Sequence, residues 1–371
     1  MNRTGASSVL RGWVTGCCLL LLLAGCAPSA APVVPTNIPV ESLTPSAAAE
    51  DQPSLAPTPT AGLHPAVIDT HNAIQLTQTA QFALVNPYRL SWSLDSRLLG
   101  ALHPEGLMLW NTETLAVEAN AVVQSPVALL DYSPETRLMA TTIDQKTIEL
   151  RQVTTAEMRH TLNSDAPFMA VFFDPAGERL AVSSLDAIAV TVWDTASGVP
   201  QQTLSGFETA APVYSGRFSA DGRFLIWVSR ATVQVMEIAS GTMGAQLSHE
   251  DFVTDVALAP GGAILAAGTT GSVGEDIVPF VQLWDAASGE ALERLLLERD
   301  AVYCLAFNPD GSLLAAGAGS EVIIWDVSTR KKLLALGGHQ ARLTSVAFSP
   351  DGSTLASAAE DGTVRLWRVQ P

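Results

Sequence analysis

His339, Ser357, Asp361 and Trp367 carry the chemistry most easily read from this sequence. A carboxylate can fix an imidazole through one ring nitrogen, the other nitrogen can reach a hydroxyl, and the hydroxyl can accept from an indole N–H. On paper the first three also form a nucleophile–base–acid array. Elsewhere the chemistry is sparse. The six histidines and four cysteines show no metal-ligand spacing. No Gly-rich phosphate loop follows a strand and opens a helix, and no Gly-x-Ser-x-Gly elbow occurs. The carboxylate pairs Glu275/Asp276 and Glu360/Asp361 fall in expected loops of an acidic chain and read as solvated turns, not as general acid–base pairs. Cys304 falls on an expected innermost strand and reads as a small buried hydrophobe. No catalytic residue, metal or cofactor is assigned.

A second reactive group sits near the N-terminus. Arg3 and Arg11 precede an apolar run from about Trp13 to Leu23. The run is shorter than the roughly 20 apolar residues of a membrane-spanning helix and suits the core of a signal peptide. The segment Leu23-Ala24-Gly25-Cys26 resembles the lipobox of bacterial lipoproteins. That resemblance implies a diacylglyceryl group on the Cys26 thiol and cleavage just before it, so that residues 1–25 leave with Cys17 and Cys18. Two or three acyl chains anchor stably where one is marginal. Only Cys26 and Cys304 then remain, and no intrachain disulfide is expected.

Composition limits the partners. Apolar residues make up 47% of the 371 and charged residues 15%, the balance of a well-buried globular domain. Formal net charge is −17, and near −19 once Arg3 and Arg11 are removed. Such a surface repels phosphate backbones, so nucleic acid is not an expected partner. It repels anionic headgroups too, so a membrane would be held through the lipid anchor. Residues 26–65 hold nine prolines among Ala, Ser and Thr. They read as a disordered, partly polyproline-II tether spanning about 35 Å.

From residue 66 to 371 the chain repeats itself. Trp110, Arg151, Trp193, Met236, Trp284, Trp325 and Trp367 are spaced by 41, 42, 43, 48, 41 and 42 residues, and each ends a strand-like run. Upstream of each lies one kind of turn, clearest in Asn308-Pro309-Asp310-Gly311 and Ser349-Pro350-Asp351-Gly352. Proline presets φ and glycine accepts φ > 0, which is hairpin chemistry. Short strands flank each turn, such as Leu343–Phe348 before and Leu313–Gly317 after, and a fourth follows the anchor, such as Lys332–Leu336. Four short strands per repeat of about 42 residues make one propeller blade. The expected fold is an all-β, seven-bladed propeller. The last repeat ends after its third strand, so Ala73–Thr79 is expected to supply the fourth and protect an open edge.

Gly337-Gly338-His339, Ser349-Pro350-Asp351-Gly352 and Trp-Asp at 193–194, 284–285 and 325–326 resemble the WD40 family over about residues 73–371. Arg151-Gln152 and Met236-Glu237 are degenerate versions of the last motif. The resemblance implies that His339, Ser357, Asp361 and Trp367 form a structural hydrogen-bond network. Repeat five keeps His249 without a matching Asp. The resemblance also implies a non-catalytic scaffold for unidentified protein partners, itself a monomeric propeller, and the lipobox resemblance implies its place on the outer side of a bacterial membrane. The alternative is a propeller enzyme or small-ligand receptor using the central funnel. The expected partner face joins the loops before each first strand and between second and third strands. It includes Tyr88, Arg89, Tyr214, Asp255, Tyr303 and Arg342. It also includes Glu275, Asp276 and Phe280 of repeat five, whose excess length falls within Gly268–Phe280.

Overall fold

The computed structural model describes residues 65–369, less 124–127, 145, 165, 185–188, 206–214, 230, 231, 250, 251, 270, 271, 274, 275, 278 and 299. Backbone contacts divide the chain into Met1–Ser42 and Leu43–Pro371, and every described residue belongs to the second unit. Among them the backbone forms seven four-stranded antiparallel sheets and one two-stranded hairpin. The seven sheets are the blades of a seven-bladed β-propeller. The inner strands of blades 1 to 7 are Arg89–Trp92, Ala128–Ser133, Phe168–Phe173, Ser215–Phe218, Val253–Leu258, Val302–Phe307 and Leu343–Phe348.

The seven anchors occupy one register position. Trp110 faces Leu99, Arg151 Met139, Trp193 Leu180 and Met236 Leu225. Trp284 faces Leu265, Trp325 Leu314 and Trp367 Leu355. Beside each anchor in blades 1 to 6 the pairing with the outer strand slips by one residue. This bulge tightens the local twist of the blade. Six blades have a residue with positive φ five places after the anchor: Leu115, Ala156, Gly198, Gly241, Gly289 and Arg330. The residue after the anchor explains why. The Oδ1 of Asp194 accepts from the Ser197 amide at 2.7 Å, Asp285 from Ser288 at 2.7 Å, Asp326 from Thr329 at 2.9 Å, and Asn111 from Thr114 at 2.9 Å. The acidic half of the Trp-Asp pair is therefore a turn cap.

Blades adhere face to face through apolar clusters that each join neighbours. Val281 and Leu283 of blade 5 pack with Leu305, Leu314 and Trp325 of blade 6. Phe172 of blade 3 meets Phe218 of blade 4 edge-on at 5.9 Å. Each fully buried aliphatic side chain contributes about 1.5–3 kcal/mol.

Closure joins the two ends of the propeller. The strand Leu76–Ala83 pairs antiparallel with Thr363–Val369, from Leu76 opposite Val369 to Ala83 opposite Thr363. It runs later than the Ala73–Thr79 expected. Ala73–Gln75 forms a single 3-10 turn, and Ile74 is 60% exposed. A bulge between Gln78 and Ala80 resets the alternation. Phe82 is thereby buried and stacks on Trp110 of blade 1, with ring centroids 4.7 Å apart. That contact draws the strand onward to Ala83.

The chain is also pinned upstream of this strand. Ile68 is fully buried among Leu313, Phe348, Leu355 and Val369. Its amide donates to the Gly352 carbonyl at 2.8 Å, and its carbonyl accepts from Asn308 Nδ2 at 3.4 Å. Asp69 and Asn72 close a compact turn behind it, each accepting the other's amide at 2.9–3.0 Å. At the seam between last and first blades, Thr344 donates to the Pro87 carbonyl and Ser345 Oγ accepts from the Leu90 amide at 3.1 Å. Blades 5 and 6 meet in the same way, through Thr254 to Val302 and Leu305 to Asp255. The seam is thus built like an internal interface.

Candidate interaction sites

In blade 7, His339 Nδ1 lies 3.0 Å from Asp361 Oδ2 and Nε2 lies 2.8 Å from Ser357 Oγ. The Trp367 indole donates to the same hydroxyl at 2.9 Å. Thr363, which the sequence reading left out, adds a hydroxyl 3.1 Å from Nδ1 and donates to Asp361 Oδ1 at 2.7 Å. The Gln340 amide donates to Asp361 Oδ2 at 2.8 Å. The imidazole is 1% exposed and Asp361 8%. Burial holds His339 below its ordinary range against the pull of Asp361. Burial would raise Asp361, but hydrogen bonds from Thr363, Gln340 and His339 outweigh it and hold the carboxyl below its ordinary range. The Ser357 hydroxyl is engaged on both sides and fully buried, so this geometry offers no substrate a path to it.

The two charged inner-strand residues named from sequence as partner contacts, Arg89 and Asp255, each belong to an ion pair between blades. Arg89 Nε of blade 1 lies 3.4 Å from Asp131 Oδ1 of blade 2. Asp131 Oδ2 accepts from the Phe173 amide of blade 3 at 2.7 Å. Arg217 of blade 4 donates to Asp255 of blade 5, and Asp255 Oδ2 accepts from the Leu305 amide of blade 6 at 2.7 Å. Both carboxyls are raised by burial, which the arginines oppose. Tyr88, 38% exposed, has its phenol pushed up to about 12 by burial and then by the Asp131 charge. It stays a neutral donor. Cys304 is 5% exposed with its thiol pushed up by burial.

The remaining sequence candidates separate. The Arg342 guanidinium lies 4.7 Å from the centre of the Tyr303 ring and donates to Glu360. It ties blade 6 to blade 7. Phe280 is 4% exposed beneath the Arg294 guanidinium, 4.5 Å from its ring centre, and offers no apolar surface. Its strand position faces Leu296 rather than water. The extra length of blade 5 forms a hairpin in which Ser272–Val273 pairs with Asp276–Ile277. Cys26, Tyr214 and Glu275 lie outside the described residues, and of Asp276 only the backbone is described. Phe252, in the loop before the inner strand of blade 5, is 59% exposed and was not singled out. Nor were Asp131 and Arg217, although a charge in the runs Ala128–Ser133 and Ser215–Phe218 was the visible signal. Among the described residues no group of three or more His, Cys, Asp or Glu could hold a metal ion.

Residues 295–326 and 330–368 match the family "WD domain, G-beta repeat". They cover blade 6 with the end of blade 5, and blade 7. The chain is 31% identical over 103 residues to WD repeat and SOCS box-containing protein 1 of Xenopus tropicalis, covering 27% of this chain and 23% of that protein. It is 28% identical over 207 residues to Periodic tryptophan protein 2 of Arabidopsis thaliana, covering 54% and 19%. It is 39% identical over 97 residues to Centriole proteome protein 16 of Chlamydomonas reinhardtii, covering 25% and 4%. The matches thus span less than a quarter of these relatives. Together with the seven sheets they support a WD40 β-propeller.

Proposed function

We propose that this chain is a non-catalytic platform for protein partners, held on the outer side of a bacterial membrane by lipid on Cys26. The observation that carries the platform reading is the hairpin Ser272–Ile277, added between the second and third strands of blade 5 in a ring of otherwise uniform sheets. Growth of one loop on a rigid frame is a common way to place recognition. Fold alone does not fix the role. The membrane part rests on Leu23-Ala24-Gly25-Cys26 and the proline-rich stretch after it. Ile68 is pinned at the Gly352 turn, which joins first to second strand. The connections between second and third strands lie at the opposite ends of the blades. Ile68 and the strand pair Ser272–Val273 with Asp276–Ile277 thus stand at opposite ends of the blades.

Affinity capture from detergent-solubilised membranes tests the platform. A saturable protein partner, retained over a propeller of unrelated loops, is the expected result. Absence of any such partner, with a small molecule that raises the melting temperature in a screen of sugars, nucleotides and metals, would turn the reading toward a ligand receptor.

A further inference from the structure

Only four charged residues occur on the seven inner strands: Arg89, Asp131, Arg217 and Asp255. They form the two ion pairs described above, and the pairs are oriented alike. The carboxylates are withdrawn between blades, with side chains 3% and 14% exposed, and each is held by the backbone amide of the next blade. The guanidiniums are the more open partners, with both arginine side chains 37% exposed. The other partly exposed inner-strand positions are uncharged, small at Ser91, Ala170 and Ser345 and larger at Met169, Tyr303 and Phe307. The wall around the axis therefore presents cationic N–H donors over hidden carboxylates, inside a chain of net charge −17. Arg89 is the less engaged of the two. Arg217 gives one terminal nitrogen to Asp255 and the other to the Leu305 carbonyl at 3.3 Å, whereas Arg89 approaches Asp131 at 3.4 Å through Nε and its terminal nitrogens make no hydrogen bond among the described residues. Two parallel N–H groups in that state match one carboxylate.

We propose that the central channel takes carboxylate groups at Arg89 and at Arg217, as acidic side chains of a partner segment or as a free dicarboxylate. The choice of a partner segment rests on the platform reading; the site itself does not. The two guanidiniums stand on blades 1 and 4 of seven, on opposite sides of the ring. A segment with spaced acidic residues could meet both, where a lone monocarboxylate meets one. Tyr88, next to Arg89 in sequence and 38% exposed, adds a neutral hydroxyl.

The test is calorimetry on the full chain with three probes: a blocked Gly-Glu-Glu-Glu-Gly peptide, its glutamine counterpart, and glutarate. The glutamate peptide is expected to bind and the glutamine peptide not. Arg89→Gln is expected to weaken the glutamate peptide about tenfold or more, while Arg97→Gln, a 65% exposed arginine paired with Glu113, leaves it unchanged. Arg217→Gln would strand Asp255 and Arg89→Gln would strand Asp131, so the double variants Arg217→Gln/Asp255→Asn and Arg89→Gln/Asp131→Asn, which keep neutral pairs, are measured beside them. Glutarate binding with the same dependence on Arg89 assigns the site to free acids as well; peptide binding without glutarate assigns it to chain segments. Partner capture that survives in variants unable to bind the peptide would remove the channel from the interface and leave the platform standing. Equal affinity in wild type, Arg89→Gln and the double variants, or no binding of either acid, would overturn the proposal.

Discussion

The Ile68 amide donates to the Gly352 carbonyl at 2.8 Å, so a residue upstream of the closing strand is built into the turn of the last blade. The side chain is fully buried in the cluster that joins blades 6 and 7. Closure thus has two parts, strand pairing along Leu76–Ala83 and this plug. Ile68→Ala is expected to cost about 2–5 kcal/mol, the range for emptying a buried aliphatic site. Deleting 66–82 is expected to cost more and to cause aggregation through the exposed edge of Thr363–Val369. Deleting 27–60 is expected to change nothing. Urea unfolding of the three proteins measures all of this; equal midpoints for the 66–82 deletion and the intact chain would show that the ring closes without the segment.

Blades 5 and 7 differ at one matched position. Ser357 lies two residues after Leu355, which faces Trp367, and accepts from that indole. Ala267 lies two residues after Leu265, which faces Trp284. Trp284 Nε1 is buried without a hydrogen-bond partner among the described residues. The His249 ring meets the Trp284 ring edge-on, with centroids 5.0 Å apart. Ala267→Ser is expected to supply the missing acceptor and to stabilise the chain by about 0.5–1.5 kcal/mol. A lower denaturation midpoint in this variant would mean that the hydroxyl finds no partner and only costs desolvation.

His339 gives the stability a sign in pH. Its folded-state affinity for a proton lies below the ordinary value of 6.5, with burial as the first cause. Above that value both states are neutral and the full stability is present. As pH falls through 6.5 the unfolded chain takes the proton first, so stability is lost progressively toward the depressed folded value. Asp131 and Asp255 are shifted upward and act with the opposite sign at lower pH, but they are common to wild type and variant. The difference between wild type and His339→Gln is therefore expected to shrink as pH falls from 7 to about 5. Asp361→Ala, which leaves His339 Nδ1 and the Gln340 amide without that acceptor, is expected to cost about 1–3 kcal/mol at pH 7 while sparing any binding activity. A pH-independent difference for His339→Gln would assign the imidazole no role in proton linkage.

The fold was legible because its punctuation is local. Anchor spacing and the Pro–Gly turns upstream of the anchors each obey backbone rules that act within a few residues, and the strands Leu343–Phe348, Val302–Phe307 and Lys332–Leu336 form over the residues read from sequence. The closing strand was placed three residues early at its start, since its register depends on Phe82 reaching Trp110, a contact across blades. Ile68 was missed for the same reason, as the short apolar run Ala66-Val67-Ile68 ahead of Asp69-Thr70-His71-Asn72 shows no period. Arg89 and Asp255 were singled out, but Asp131 and Arg217 were not, because each pair joins blades some 40 residues apart in sequence. Phe280 was read as exposed from its place in a long loop, whereas its pairing with Leu296 makes it the first residue of a strand.

The anchor is tested at one atom. Cys26→Ser removes the thiol that the lipobox resemblance requires. With a net charge near −19 after cleavage, anionic headgroups repel the remaining surface. The variant is expected to appear in the soluble fraction or to persist as an uncleaved precursor. A correctly cleaved variant that still partitions into detergent would end the lipoprotein reading.

The hairpin of blade 5 offers the sharpest test of partner binding. It stands between Ile264–Thr269 and Phe280–Asp285, strands that keep their register with each other from Ile264 opposite Asp285 to Gly268 opposite Val281. The added residues therefore leave the blade beneath them unchanged, and replacing Ser272–Pro279 by a short Gly-Ser turn is expected to shift the melting temperature little. Phe252, 59% exposed, lies in the loop that precedes the inner strand of the same blade. Aromatic residues are frequent interface anchors, and an anchor of this kind carries about 2 kcal/mol or more when it is one. Phe252→Ala and the loop replacement are each expected to weaken capture of a partner from solubilised membranes, with the propeller still folded. Unchanged capture by both variants, at unchanged stability, would take this corner of blade 5 out of the interface and leave the channel arginines as the remaining candidates.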